Sequence, residues 1–383
     1  MGKNKIKLIL VIIISFKLVL PLVSQDLFFF ESTYFRSLIN PALTGINGSL
    51  SLNLAGKEQF LNTLDDFTSG GISIEQSWPC SRIDAGIFHV YDKEGDGFLQ
   101  TNHTAGNLVY TLPFKLKRNL NNIRFGTKIQ YTTKQINWDE LIFTDQIDPK
   151  YNLTNSLGIP NTTDFVPPVW NRISRFTLGV GIVHKSSIGY LRRNSITWGL
   201  AFENYTGLFE NKGYDSLLKT PYDESSLINK VSFFFAPEIS LTKSYFDYIG
   251  FRPCLIVLKE SSLKNWQLGF DITYRRSVGF GLFLSSGELD RLIKDNKYLI
   301  FSSTIQAIQT RNYKINLSLQ YCHNIGGFSE VFGQSIQLNV GFIFRKDGCA
   351  GSPNSSADCP SISYRKDIIY DNVWFSPIGG INK

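Results

Sequence analysis

Past residue 24 the chain alternates apolar and polar residues with a period of two, segment after segment. In 334–345 the apolar positions are Ile336, Leu338, Val340, Phe342 and Phe344, with Ser335, Gln337, Asn339 and Gly341 between them. Segment 313–321 alternates Tyr313, Ile315, Leu317, Leu319 and Tyr321 with Lys314, Asn316, Ser318 and Gln320. Segment 266–274 does the same with Trp266, Leu268, Phe270, Ile272 and Tyr274 around Gln267, Gly269, Asp271 and Thr273. Similar patterns run through 123–131, 176–182 and 196–202. Alternation of this kind sets one strand face against an apolar medium and the other against a polar one. No run of about 18 apolar residues follows residue 24, so spanning by helices is excluded there.

The segments number about fourteen, at 49–60, 69–78, 82–91, 101–112, 122–138, 170–185, 193–203, 231–243, 248–260, 264–276, 277–286, 298–309, 311–322 and 334–345. Most are near the roughly 10 residues that a tilted membrane strand needs. Short connections at Pro79-Cys80, around 244–247, at Arg276-Ser277 and at 310–312 all follow even strands. The long ones, 139–169, 204–230 and 287–297, all follow odd strands. Bacterial barrels segregate short periplasmic turns from long outer loops in this way, and a soluble sandwich has no reason to. Trp138, Trp170 and Trp266 fall at the outer rim and Trp78 at the inner rim, where aromatic girdles sit. The pairs Gly179/Gly181 and Gly279/Gly281 lie on one strand face each; a phosphate loop would need a strand-to-helix step. The fold expected is all-β: a transmembrane antiparallel β-barrel over 49–345, closed because closure alone pairs every strand edge inside lipid.

The ends change the picture. Lys3, Lys5 and Lys7 precede an apolar run that Pro21 breaks, and Ser24 offers a cleavage point, so 1–24 reads as an export signal. Lys17 interrupts the run and argues against a retained span. Residues 25–48 read as a lead-in at the periplasmic mouth. Its Asn40-Pro41 step forces extended backbone, Gly45 permits a turn, and a helical turn is expected at 32–38. Its aromatic cluster of Phe28, Phe29, Phe30, Tyr34 and Phe35 needs cover, from the lumen as a plug or from a partner as a docking segment. Residues 346–383 would emerge as a periplasmic tail. There Cys349 and Cys359 bracket a Gly/Ser/Pro/Asn-rich stretch, either as a small disulfide or as two thiols.

Composition removes other classes. Hydrophobic residues at 43% and charged residues at 19% exclude a disordered chain. Lys+Arg 39 against Asp+Glu 32 leaves +7, too dilute and too scattered for nucleic acid. His89, His103, His184 and His323 show no metal-ligand spacing, and no CxxC pair, nucleophile elbow or phosphate loop occurs. No catalytic set, metal site or cofactor site is expected.

Several motifs carry a family resemblance. Gln25-Asp26 after the signal, then Asn40-Pro41-Ala42 with Gly45, and Trp138 followed by Phe143, Asp145, Gln146, Ile147 and Asp148, together resemble the PorP/SprF family of Bacteroidota outer-membrane proteins. Lys57-Glu58-Gln59-Phe60 sits where that family has an Arg-Asn-Gln-Trp-like stretch. The resemblance implies an outer-membrane barrel of the type IX secretion and gliding machinery. Its implied partners are a large secreted adhesin-like protein with a type B C-terminal domain, periplasmic secretion-ring components and outer-membrane lipids. On this reading the outer loops form a binding platform, with Trp138, Phe143, Asp145, Gln146, Asp148, Tyr151, Phe165 and Trp170 as partner-binding candidates. Prolines 160, 167 and 168 would stiffen it. The other reading is a channel for small solutes, with Lys128, Gln130, Gln267, Asp271, Gln320 and Gln337 lining the lumen and no single-sign ring among them.

Overall fold

The structure is a computed structural model. It describes residues 35–344 apart from 62–66, 79–80, 96–98, 117–118, 151, 155, 168–170, 189–193, 206–229, 243–248, 261–262, 276, 290–292, 311–312 and 327–332. The export signal, the aromatics ahead of Phe35, and the tail with Cys349 and Cys359 lie outside the described residues.

The alternating segments are strands: β1 (Ser51–Gln59), β2 (Phe67–Trp78), β3 (Ile83–Glu94), β4 (Leu99–Leu116), β5 (Asn119–Gln135), β6 (Arg172–Ile188) and β7 (Asn194–Tyr205). They continue as β8 (Lys230–Ser240), β9 (Ile249–Glu260), β10 (Leu263–Tyr274), β11 (Val278–Leu289), β12 (Ile293–Gln309), β13 (Tyr313–Asn324) and β14 (Ser335–Phe344). Each pairs antiparallel with its sequence neighbours, and β1 pairs with β14, as in Leu54 opposite Val340, to close the barrel. Closure leaves no unpaired edge, which is the condition for backbone in hydrocarbon. No helix among the described residues is long and apolar enough to cross a membrane; the strands do so.

The two strand faces follow the sequence period. Leu268, Phe270, Ile272 and Tyr274 of β10 point outward and are exposed, whereas Gln267 and Asp271 on the other face are buried. The expected lumen residues Lys128, Gln130, Gln320 and Gln337 are all buried as well. Polarity is thus inverted relative to a soluble protein, because lipid covers the outside. The inward face breaks this rule in patches. Phe88, Val90 and Ala105 form one, and Val183, Phe234 and Ile256 another. Both are covered by the lead-in, whereas a third, of Phe283, Ile300 and Cys322, packs with Cys254 and Tyr298.

Connections after even strands are short throughout, the longest being 241–248. Those after odd strands include 136–171 and 206–229. The expected long loop at 287–297 is instead strand: β11 runs to Leu289 and β12 starts at Ile293, leaving 290–292. Its charged residues had the composition of a loop, but the pairing of Gly287 with Asn296 continues the ladder into it.

The β5–β6 hairpin has 17 residues in each strand, where most strands have 9–12. Its outward face turns from apolar to polar before the loop begins. The Tyr131 and Phe176 rings, on paired residues 4.7 Å apart, form the last apolar rung. Beyond them Thr133 pairs with Ser174 and Gln135 with Arg172.

Phe270, central in the outward series of β10, should reject charge. Phe270→Arg is expected to cost about 2–4 kcal/mol of folding stability in bilayers, with Phe270→Leu near the parent. Reversible urea unfolding into lipid vesicles measures the difference; equal losses for both variants would mean that this face does not meet hydrocarbon.

Candidate functional site

Two features stand out, one inside the barrel and one at its long-loop end. The first is the lead-in, whose described part runs from Phe35 across the lumen to β1. Phe35 is buried against Ala55, Phe88, Val90 and Ala105. The expected helical turn is a 3-10 turn at Arg36–Leu38, and a second follows at Pro41–Leu43. Pro41 starts that second turn and holds Asn40 extended, at φ −154° and ψ 121°. The Asn40 side-chain oxygen accepts from the Ala42 amide at 2.9 Å, while its nitrogen donates to the Ile182 carbonyl of β6 at 3.2 Å.

Arg124 of β5 fixes the next turn. Its guanidinium donates to the Ala42 carbonyl at 2.8 Å and the Thr44 carbonyl at 2.5 Å, and pairs with Asp84 of β3 at 2.9 Å. Both charged side chains are almost fully buried. Gly45 adopts φ +72°, and a β-carbon there would lie 2.6 Å from Asp84 Cβ. Its amide donates to Glu75 of β2 at 2.8 Å. The motif Asn40-Pro41-Ala42 with Gly45 is therefore a shape cut to fit the barrel wall.

The wall in turn is cut to fit the motif. Gly126 of β5 pairs with Gly181 of β6, Gly181 with Ala201 of β7, and Ala201 with Ser232 of β8. This rung of small residues is the bed on which 39–42 lies. A β-carbon at Gly126 would stand 2.3 Å from the Ala42 nitrogen, and one at Gly181 2.2 Å from the Asn40 side-chain oxygen. The Ser232 hydroxyl donates to the Ile39 carbonyl. Elsewhere the lumen is held by ion pairs such as Lys128–Glu203 at 2.8 Å and Arg252–Asp271 at 2.8 Å. A cavity of about 100 Å³ remains beside the lead-in, between Ile39, Leu43 and Ile46 on one side and Phe234, Ile256 and Phe283 on the other.

The second feature is the connection 136–171. Phe143 stacks on Phe165 at 4.5 Å, and Trp138 packs on the same ring at 5.6 Å. Gln146 accepts from the Phe143 amide at 2.9 Å and donates to the Asn161 carbonyl at 3.2 Å; Asn161 returns a bond to the Gln146 carbonyl at 2.9 Å. The Asp145 carboxylate accepts from the Asp164 amide at 2.7 Å and from the Thr163 hydroxyl at 2.8 Å. These bonds, the Asp164 amide foremost, hold the Asp145 carboxyl below its ordinary range. Asp148 accepts from the Lys150 amide and forms a bridge with Asn152. The loop is thus tied to itself by six of its predicted partner-binding residues. Tyr151 and Trp170 lie outside the described residues.

Charge is divided between the barrel ends. Counted over the sequence, connections after odd strands hold fourteen acidic and four basic residues, and those after even strands one acidic and nine basic. The first end is strongly negative and the second strongly positive, in a chain of net +7.

A family model described as the type IX secretion system membrane protein PorP/SprF matches residues 23–342. The chain belongs to the PorP/SprF family. It is a type IX secretion system barrel of the outer membrane, a family whose work implies contact with secreted proteins and machinery components. No curated protein sequence matches the chain. Among solved structures it is similar to the CymD monoaromatic hydrocarbon channel, at 10% identity over 84% of this chain and 94% of that one, with a TM-score of 0.42. It is also similar to a Pseudomonas aeruginosa FadL homologue (10% identity, 81% and 94% covered, TM-score 0.37) and to Acinetobacter baumannii Omp33 (9%, 78% and 100%, 0.37).

For this PorP/SprF barrel, sequence reasoning found Asn40, Pro41 and Gly45 but not their receptors Arg124, Asp84, Glu75 and Ser232. The paired glycines were the one available signal: Gly181 was recognised as sharing a strand face with Gly179, and that face proves to be the lead-in's bed.

Filling the bed should expel the lead-in. Thr44 is fully buried, and its hydroxyl has no hydrogen-bond partner, so Thr44→Cys is a mild reporter. The added thiol is expected to resist aqueous maleimide in the parent barrel and to react at least about tenfold faster with Gly181→Val or Arg124→Met, the latter leaving Asp84 buried without its cation. The same barrel without the added thiol gives the background, and unchanged protection would mean that the lead-in holds without these contacts.

Asp145 supplies a pH test. A carboxyl held low in the folded loop contributes stability that is complete above about pH 4, the unfolded value, and is lost as pH falls through the depressed one. Hydrogen exchange at the Asp164 and Phe165 amides, corrected for its intrinsic rate, should stay flat from pH 8 to pH 5. It should rise about fivefold or more at neutral pH in Asp145→Ala; flat behaviour in that variant would show the clamp to be idle.

Proposed function

We propose that this barrel is a noncatalytic surface anchor that retains or helps export a large secreted protein carrying a type B C-terminal domain. The reading places the long-loop, acidic end outside the cell and the short-turn, basic end in the periplasm, following the general rule for bacterial barrels. The observation that supports it most is the build of 136–171. A loop of this length that only closed a hairpin would have no reason to be tied by Asp145, Gln146 and a three-ring stack. Internal rigidity lowers the ordering cost of binding, as a recognition surface requires. The residues first singled out as partner contacts act as the frame of the platform, and contact falls to the exposed side chains between them.

The channel reading has less support. The lead-in crosses the lumen and is bonded to β2, β5, β6 and β8. The cavity beside it, about 100 Å³, is smaller than one of about 150 Å³ that accepts benzene. At the periplasmic end the basic turns suit a contact with components of the secretion ring.

Deleting 139–169 and bridging the gap with a short turn tests the anchor. The shortened barrel is expected to keep its heat-modifiable mobility and to release the secreted protein into the medium. Retention of that protein by a folded, loop-less barrel would remove the platform.

A further inference from the structure

Among its described residues the 136–171 loop leaves six aliphatic side chains exposed: Ile142, Ile147, Leu153, Leu157, Ile159 and Val166. Leu157 is 80% exposed and Val166 84%. Isolated exposed aliphatics are ordinary, but six on one self-braced loop are a concentration that needs a cover.

Lipid is a poor cover. The hairpin's apolar belt ends at the Tyr131–Phe176 rung, and two polar rungs separate it from the loop. Each residue of a strand advances about 3.3 Å, so the loop begins roughly 13 Å beyond the belt. The loop also carries Asp139, Glu140, Asp145, Asp148 and Asp164 against Lys150 alone, a net −4, which disfavours approach to a phosphate-bearing surface. A second copy of this chain is no better suited. All the odd-strand connections together are acidic, so two such ends would repel.

We infer that the loop receives a protein surface whose apolar side chains are bordered by lysine or arginine. This inference rests on the anchor reading and specifies the chemistry of the partner. Aliphatic contacts at the centre, with Leu157 and Val166 foremost, supply the burial. Exposed carboxylates such as Asp139 and Asp164 at the border supply steering and orientation. The two acidic groups are independent of the frame, since Asp164 enters it through its backbone amide.

Photo-crosslinking in the native outer membrane tests this directly. Benzoylphenylalanine replaces Leu157 or Val166 in the full chain, and the crosslinked peptides are sequenced by mass spectrometry. The expected product is a peptide of a secreted protein with lysine or arginine beside its apolar residues. Its yield should fall severalfold when NaCl rises from about 0.1 to about 0.5 M, which shortens the Debye length from about 10 Å to less than half of that. The double variant Asp139→Asn/Asp164→Asn should give the same loss, with the amide exchange of Asp164 and Phe165 unchanged to show that the frame is intact. A crosslink to a secreted protein through a neutral or acidic peptide, insensitive to salt, would overturn this inference and leave the anchor reading standing. Crosslinks to lipid or to another copy of this chain, or none at all, would overturn both.

Discussion

Every backbone amide and carbonyl inside a bilayer must find a partner in the protein, because hydrocarbon offers none. From that constraint follow the closure of β1 on β14, the even run of antiparallel strands and the alternation along each of them. Closure has a further consequence. A ring of fourteen strands encloses more space than side chains alone fill, and the inward faces are polar. Something of mixed character has to occupy that space or leave it to water.

The lead-in answers this with backbone as much as with side chains. Its carbonyls at Ile39, Ala42 and Thr44 and its amide at Gly45 are all taken up by side chains of the wall. A buried turn carries polar groups that no regular ladder satisfies, and leaving one unmet costs about 1–3 kcal/mol. Arg124 serves two of the carbonyls at once while its charge is met by Asp84. A lysine could not span that fork, since it presents a point charge and not a planar set of donors. The glycine rung completes the fit by letting two backbones approach where any side chain would hold them apart.

This division of labour explains what could be read in the sequence. Strand number, facing and polarity were legible because they depend on period two, which survives in any window of ten residues. Gln267, Gln320 and Gln337 were assigned inward on that basis, and they are inward. The segment 287–297 reads as loop because charged residues at a strand end look like loop when their pairing partner is not known. The lead-in's receptors were illegible for the same reason: Arg124 and Ala42 are 82 residues apart and meet only after closure. The loop motif is legible as a motif, but the bonds within it are not. Asp145 and Gln146 invite a reading as contact residues, and their partners Thr163, Asp164 and Asn161 lie on the far arm of the same loop.

A frame and a surface are different things, and the loop separates them by residue type. Residues that brace it are aromatic or polar and have specific partners, as Phe143, Gln146 and Asp145 do. Residues whose side chains remain outward are aliphatic, Leu157 and Val166 above all. On the anchor reading, the frame holds the aliphatics in place for a partner. The acidic end adds selection at longer range, since its charge acts before contact and repels a second acidic barrel as readily as it attracts a basic domain. The basic turns at the other end offset most of this charge, and the strands and chain ends make the whole chain positive, so the sign of the net charge conceals the surface on which a partner would land.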